Sequence, residues 1–502
     1  MTSNQLFLGI DSGTQGSKAV LLDWETHQII AEEYSPHQLN SLPDGGKEQD
    51  PKWWVTACTS AIKQVLSNSG IDAKKIKGIG VSGQQHGFVP LDSDGKVIRP
   101  AKLWCDTATN AQCDKITEKM GGVDKVIEKI GNSVAAGFTV SKILWLKEME
   151  PENYERLDTI LLPHDYLNFW LTGEKKTEYG DASGTAYFDV RNRRWSQDVL
   201  NAVDSSGKLN NCLPQLIESI EPIGTVKPEI AAEFGFSEDT LVSSGSGDNM
   251  IAAIGTGNVT EGIITASLGT SGTIYAHANK PVVDNNGELA AFCSATGGWL
   301  PLICTMNVTV STELTRKLLN LNITELNKLV ADAPIGSEGL ILLPYFNGER
   351  TPALPNASAT LFGINSLNYT QANLVRSAME GATFGLKYGM QILKEQGITA
   401  EEMRLVGGGS KSAVWRQIVA DVLGCPVVCP QIEEAGALGA ALQAVWCYSH
   451  AKGADIPLAE ICASCITLDD HKRAEPVEAN MKTYQEIFDR YIALNNRLSD
   501  FY

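Results

Sequence analysis

The sequence predicts an α/β protein built as two related halves, and three observations carry that expectation. At 502 residues the chain is longer than one hydrophobic core usually organises, so two large domains are expected. Apolar, β-prone runs alternate with helix-periodic segments along its length. A strand–turn–strand device with a Gly-Thr pair in its turn occurs twice, at Gly13-Thr14 and at Gly269-Thr270, about half the chain apart.

The first device begins with a predicted strand over residues 7–11. A turn of Ser, Gly and Thr follows, then a second strand over residues 18–23, which together read as a β-hairpin. A helix is predicted over 53–66 and strands over 77–82 and 241–244, the last closed by Gly245-Ser246-Gly247. The second device has strands over 262–268 and 273–276. A long helix over 371–396 contains Gly381 and Gly385, which lower helix propensity and imply close packing against another segment. The strand over 404–406 runs into Gly407-Gly408-Gly409, ahead of a helix over 413–423. Near the end, Tyr484, Ile487, Phe488, Tyr491, Leu494 and Leu498 recur at helical spacing, the stripe of an amphipathic helix that packs back onto the body.

Composition narrows the function. Hydrophobic residues make up 43% of the chain and charged residues 20%, an ordinary globular balance. The formal net charge of -18 argues against nucleic acid or an anionic membrane as partner, since both reward clustered Lys and Arg. It leaves a nucleotide open, because backbone N–H groups and Mg²⁺ can hold phosphates. The apolar run over 6–10 is short, lacks a basic flank and stops at Asp11, so the expected compartment is the cytoplasm. Eleven scattered cysteines read as reduced, mostly buried thiols, the Cys462/Cys465 pair included. Oligomeric state has no signature here, and a homodimer is compatible with the sequence.

Three Gly-rich turns carry candidate chemistry. In the first, Gly13 and Gly16 let the backbone approach a phosphate, Thr14 and Gln15 offer donors, and Lys18 offers positive charge. Asp11 stands at the strand end, placed to serve Mg²⁺ through water. The second turn, with Gly269 and Thr270, has the same chemistry, so the two together can grip the triphosphate of ATP from opposite sides. The third, with Gly407, Gly408 and Ser412, suits a flat adenosine lying against bare backbone, and does not match a dinucleotide fingerprint.

Asp248 is the candidate general base. It follows a strand and a Gly turn near mid-chain, where a cleft between halves would open, and a sugar hydroxyl needs a carboxylate to accept its proton. Gln85 and His86 at a strand end, and Trp104 with Asp106, supply the amide, ring faces and carboxylate of a polyol pocket.

These segments resemble the FGGY carbohydrate kinases over nearly the whole chain. The resemblance rests on residues 9–23, Glu48-Gln-Asp-Pro-Lys-Trp-Trp54, Gly83-Gln-Gln-His-Gly87, Gly137-Phe-Thr139, Asp165-Tyr-Leu167, Asp181-Ala-Ser-Gly184 and Gly247-Asp-Asn249. It continues through Ser267-Leu-Gly-Thr-Ser-Gly272, Gly348-Glu-Arg-Thr-Pro352, residues 407–412 and Gly436-Ala-Leu-Gly-Ala-Ala441. It implies two actin-like, ribonuclease H-type domains with a cleft between them, one over residues 1–250 on the sugar side and one over 251–502 on the nucleotide side. It also implies ATP and Mg²⁺ as donor and cofactor, and a small open-chain sugar as acceptor, D-xylulose foremost, with another ketose or polyol as the alternative, and it sets Asn249 against that sugar beside Gln85, His86 and Trp104. Gln85, Cys105 and Ala353 depart from readings common among bacterial members, and all three are expected near the sugar. A catalytically silent sensor on the same scaffold is disfavoured by Asp248 and the paired turns. An actin- or chaperone-type ATPase is disfavoured by the sugar-facing segments.

Overall fold

The computed structural model describes residues 5–502. Its first half is organised by a seven-stranded sheet. Strands β1 (Leu6–Ser12), β2 (Gly16–Asp23) and β3 (Gln28–Pro36) form an antiparallel meander. Helix α1 (Pro51–Ser69) starts where the Asp50 side chain accepts from the Lys52 N–H, with Pro51 in its first turn, and ends at Gly70 in the left-handed conformation. Strand β4 (Ile76–Gly83) then runs parallel to β1. Helix α2 (Pro163–Thr172) and the single turn α3 (Tyr179–Ala182) precede the short strands β5 (Gly224–Thr225), β6 (Leu241–Val242) and β7 (Ser246–Gly247). The strand order is β5-β6-β4-β1-β2-β3, with β7 also paired to β4, and the chain leaves through helix α4 (Asp248–Gly255).

A second seven-stranded sheet organises the remainder. The antiparallel pair β8 (Ile263–Leu268) and β9 (Gly272–Ala276) is followed by β10 (Ala290–Cys293) and β11 (Trp299–Thr305). Helix α5 (Gln371–Glu395), strand β12 (Glu402–Val406), helix α6 (Ala413–Leu423) and strand β13 (Val427–Pro430) come next. Helices α7 (Ala435–Ala451) and α8 (Leu458–Cys465), strand β14 (Leu468–Ala474) and helix α9 (Glu478–Leu498) complete the chain. The order is β10-β11-β9-β8-β12-β13-β14.

Both sheets repeat one pattern. A hairpin strand lies next to the sheet's first strand, whose other neighbour is parallel to it and is itself flanked by a further parallel strand (β2-β1-β4-β6 and β9-β8-β12-β13). This is the two-domain, actin-like architecture with its cleft.

Two helices join the halves. α7 comes from the second half but lies on β1 and β4 of the first, and on α4. The approach is backbone to backbone: a Cβ at Gly9 would stand 1.9 Å from the Ala437 carbonyl oxygen, and one at Gly80 would stand 1.9 Å from that of Ala440. That is why the Gly436–Ala441 segment consists of Gly and Ala apart from Leu438. At the far end of α4, Thr256 Oγ1 is 2.8 Å from Thr265 Oγ1 of β8, and Arg404 of β12 donates to the Thr256 carbonyl. α4 therefore begins against one sheet and ends against the other.

The α5 glycines divide. A Cβ at Gly381 would meet the Leu342 carbonyl at 2.3 Å, the close packing expected, whereas one at Gly385 would meet nothing within 4 Å. Nothing in the packing explains Gly385. On α9, Tyr484, Phe488 and Tyr491 are buried against Phe384 of α5, so this stripe packs back onto the body. Cys462 and Cys465 are buried thiols on α8, and the Cys462 thiol donates to the Ile254 carbonyl. Among the described residues no helix is long and apolar enough to cross a membrane.

Candidate active site between the two sheets

Each hairpin ends in a turn whose carbonyls are held from behind. In the β1–β2 turn, the Gly13 N–H closes onto the Gly16 carbonyl at 3.0 Å. The Gln49 side chain donates to the Thr14 carbonyl at 2.8 Å, while Tyr34 and the His37 N–H both donate to the Gln15 carbonyl. In the β8–β9 turn, the N–H groups of Thr309 and Val308 donate to the carbonyls of Gly269 and Thr270 at 2.9 and 3.0 Å. The N–H groups of Thr14, Gln15, Thr270 and Ser271 make no backbone hydrogen bond among the described residues, and all four residues line one cavity of 920 Å³. Unpaired N–H donors on two opposed turns suit an anion with several oxygens.

The cavity floor carries the carboxylates. Asp11, at the end of β1, accepts from the Ser82 hydroxyl at 2.6 Å, and burial pushes its pKa up to about 6. Asp248 opens α4 directly after β7. Its Oδ1 accepts from the Asn249 N–H at 2.7 Å and from the Asn249 amide at 3.0 Å, leaving Oδ2 for a ligand. Its position at the helix N-terminus favours the ionised form. Burial outweighs that and, with the carboxylates of Asp11 and Asp181, pushes the pKa up to about 7. A base poised near neutrality is what proton abstraction from a hydroxyl requires.

Beside Asp248, the Asn249 amide donates to Gln85 Oε1 at 2.6 Å, and Gln85 itself donates to the Met250 sulfur at 2.9 Å. His86 lines the same wall with Phe138 and Phe292 around its ring. Trp104 is 42% exposed, and its indole N–H donates to Thr14 Oγ1 at 3.1 Å, tying this wall to the first turn. Lys18 pairs across the cleft with Glu434, which opens α7. Glu434 also lines a smaller cavity of 190 Å³ with Gly407 and Gly408, so the Gly-rich turn after β12 adjoins the main cleft.

Most of the residues singled out from the sequence thus converge on one cleft, with four exceptions. Asp106 does not reach it: its carboxylate accepts from the N–H groups of Lys47 and Ala108 and from the Lys102 ammonium, at 2.9 to 3.0 Å. A carboxylate engaged in this way and fully buried holds its loop and faces no cavity. Ser412 caps α6 and bonds Asn327 instead of lining either cavity. Cys105 and Ala353 are likewise absent from the cavity wall, whereas Gln85 is part of it.

Other wall residues were not foreseen. Glu434 has no local sequence signal, since its partner Lys18 is remote. Arg350 lies in the Gly348–Pro352 segment, and Phe138 in Gly137-Phe-Thr139, both visible as segments without a role. The loop bearing Phe138 is held by Lys142, whose buried ammonium donates to the carbonyls of Ala136, Gly137 and Phe138 at 2.7 to 2.8 Å.

Comparison with known proteins agrees along the whole chain. Residues 6–255 match the N-terminal domain of the FGGY family of carbohydrate kinases, and residues 264–448 match its C-terminal domain. A xylulose kinase from Haemophilus influenzae is 45% identical over 491 residues, covering 97% of this chain and 99% of that one. Two solved structures are similar throughout. A xyloylose kinase from Brucella ovis has a TM-score of 0.92 at 29% identity, covering 99% of this chain and 100% of that one. A xylulose kinase from Bifidobacterium adolescentis has a TM-score of 0.83 at 30% identity, covering 96% and 99%.

Proposed function

Because the chain belongs to the FGGY family of carbohydrate kinases, we propose that this sugar kinase transfers the γ-phosphoryl group of ATP to the terminal hydroxyl of D-xylulose, giving D-xylulose 5-phosphate. The observation that carries this reading is one 920 Å³ cavity lined by both Gly-Thr turns, Asp248 and the polar wall of Gln85, His86 and Asn249. Residues 1–250 then form the sugar-side domain and residues 251–502 the nucleotide-side domain, with α4 and α7 as the joint.

In this reading the turn N–H groups around Thr14, Gln15, Gly269 and Thr270 take the phosphate oxygens, with Lys18 adding charge. Gly407 and Gly408 face the adenosine. Gln85, His86, Asn249 and Trp104 orient the sugar so that one hydroxyl lies against Asp248 Oδ2. That oxygen takes the proton as the sugar O–P bond forms and the bond to the β-phosphate bridging oxygen breaks. Mg²⁺ fits beside Asp11, a carboxylate with a raised pKa whose one side-chain donor among the described residues is the Ser82 hydroxyl. When bound with the nucleotide, the ion neutralises charge on the transferred phosphoryl group.

The direct test is ADP release with D- and L-xylulose, D- and L-ribulose, glycerol and gluconate, each with ATP and Mg²⁺. D-xylulose is expected to give the highest kcat/KM. A higher value for another acceptor would reassign the substrate, and binding of sugar and ATP without any phosphorylated product would replace the kinase reading with a sensor.

Lys142→Met provides a second test. It leaves the Ala136, Gly137 and Phe138 carbonyls without their common donor and frees the Gly137–Phe138 wall. The KM for sugar is expected to rise roughly tenfold, since each lost charge-assisted hydrogen bond is worth about 1.5–3 kcal/mol, while the KM for ATP stays unchanged. Equal rises in both would show that the loop serves general stability alone.

A further inference from the structure

Behind His86 lies a layer of buried titratable groups that phosphoryl transfer does not use. His86 has a left-handed backbone (φ 57°), uncommon for a residue with a side chain. Its Nδ1 lies 2.8 Å from Asp181 Oδ1, off the line of an ideal hydrogen bond, and its backbone N–H donates to the same oxygen at 3.2 Å. Asp181 Oδ2 lies 3.1 Å from Nδ1 of His164, whose Nε2 lies 2.9 Å from Asp165 Oδ1. The side chains of His164, Asp165 and Asp181 are 0% exposed, so the row Asp165–His164–Asp181–His86 runs from the interior to the cavity wall. Gly184 backs the ring so closely that a Cβ there would stand 1.8 Å from His86 Cε1.

The protonation pattern follows from what each nitrogen faces. Both nitrogens of His164 face carboxylates. A neutral ring would turn a lone pair on one of them, so both carry protons. Burial opposes that charge, yet Asp165 and Asp181 hold the His164 pKa well above the usual value. Burial likewise opposes charge on Asp181, but the hydrogen bond with His164 and the His86 ring close beside it bring its pKa down to about 2. His86 goes the other way: burial outweighs Asp181 and keeps the ring neutral, with Lys142 and Arg350 also opposing its charge. Glu178, the other acid facing His164, is held by the Ser246 hydroxyl and the N–H groups of Gly180 and Asp181. With one proton to place and a carboxylate 2.8 Å from Nδ1, that proton sits on Nδ1. With Nδ1 carrying the proton, Nε2 is left as the ring's acceptor on a residue that lines the cavity.

We propose that Asp181 and His164 are positioning residues that lock His86 as the Nδ1-protonated neutral tautomer, making Nε2 an acceptor-only contact for one sugar hydroxyl. An acceptor-only nitrogen bonds a hydroxyl and repels a carbonyl or carboxylate oxygen. It therefore turns an open-chain ketose so that a hydroxyl, and not its C2 carbonyl, meets His86, and it disfavours sugar acids at that position. The inference rests on the reading that His86 faces the sugar.

The test is ¹⁵N NMR of the sugar-free, full-length protein labelled at histidine, with His86→Gln and His164→Gln identifying the two rings. Between pH 6 and 8 the wild type is expected to show His86 protonated at Nδ1 alone and His164 protonated at both nitrogens, values chosen on the scale of an ordinary histidine pKa of about 6.5. A His86 proton on Nε2, or a neutral His164, overturns the relay whether or not any variant folds. In Asp181→Asn the amide can flip to offer its NH₂ to Nδ1, so the His86 proton is expected to move to Nε2. The KM for D-xylulose then rises up to about tenfold, the upper end for one lost neutral hydrogen bond, with the KM for ATP unchanged. If the ring protons behave as expected but the sugar KM does not move, the relay stands as structure. The reading of His86 as a sugar contact then fails, and the proposal with it.

Discussion

Asp248→Asn is expected to lower kcat by roughly 10²–10⁴-fold, the usual contribution of a positioned general base, while ATP binding is preserved. The substitution keeps the size of the side chain and the two bonds that Asn249 makes to Oδ1, so the geometry of α4 should survive. It removes the group that accepts the hydroxyl proton. Steady-state kinetics with a separate measurement of nucleotide binding checks this, and a kcat within threefold of wild type would refute the role. The same carboxylate sets a pH dependence. Burial and the neighbouring acids Asp11 and Asp181 raise its pKa to about 7, and the base must be ionised to work. The kcat/KM for sugar should therefore rise with pH through about 7 and fall below it, and Asp248→Asn should abolish that limb. Mg²⁺ bound at the proposed position beside Asp11 would offset one of the acids that raise this pKa, so the limb should move to lower pH when the metal and nucleotide saturate the enzyme.

Gly80→Ala is expected to destabilise the protein by about 3 kcal/mol, at the upper end of overpacking effects. The added Cβ would stand 1.9 Å from the Ala440 carbonyl oxygen, and backbone on both sides cannot yield as a side-chain tip can. The collision lies between β4 of one half and α7 of the other, so relief requires shifting the helix that joins them. Loss of activity should therefore accompany the fall in the midpoint of thermal unfolding. Gly385→Ala is the matched control. Its Cβ would meet nothing within 4 Å, and the helix interior prefers Ala by about 0.5–1 kcal/mol, so the midpoint should rise slightly. If both variants behaved alike, close approach of α7 would not be what those glycines serve.

Much of the chemistry was legible locally. The Gly-Thr turns, the Gly-rich turn at 407 and the base after Gly247 depend on residues within a few positions of one another. A turn needs glycine where the chain reverses, and a strand end presents whatever follows it. The same locality explains why α6 is found over Ala413–Leu423, as its periodicity indicates, and why the two hairpins are paired as their apolar runs suggest. What failed locally is equally particular. Asp106 looked like a pocket carboxylate because it follows Trp104, but the fold brings Lys102 and the Lys47 N–H to it and turns it inward. Cys105 and Ala353 looked close to the sugar on the strength of their segments, and neither reaches the wall.

By itself the sequence determined the fold class, the two hairpins of the repeated strand order, and the Gly-rich turns and carboxylate proposed as phosphate turns and base. Those follow from propensity, periodicity and turn chemistry, which act over a few residues. Only the tertiary structure decided that α7 crosses to the opposite sheet, that Glu434 meets Lys18 across the cleft, and that Asp181 stands between His86 and His164. The partners in these contacts lie from 17 to several hundred positions apart. Whether a charged side chain is a ligand, a clamp or a buried counter-ion depends on which groups the fold brings to it, and no local pattern encodes that.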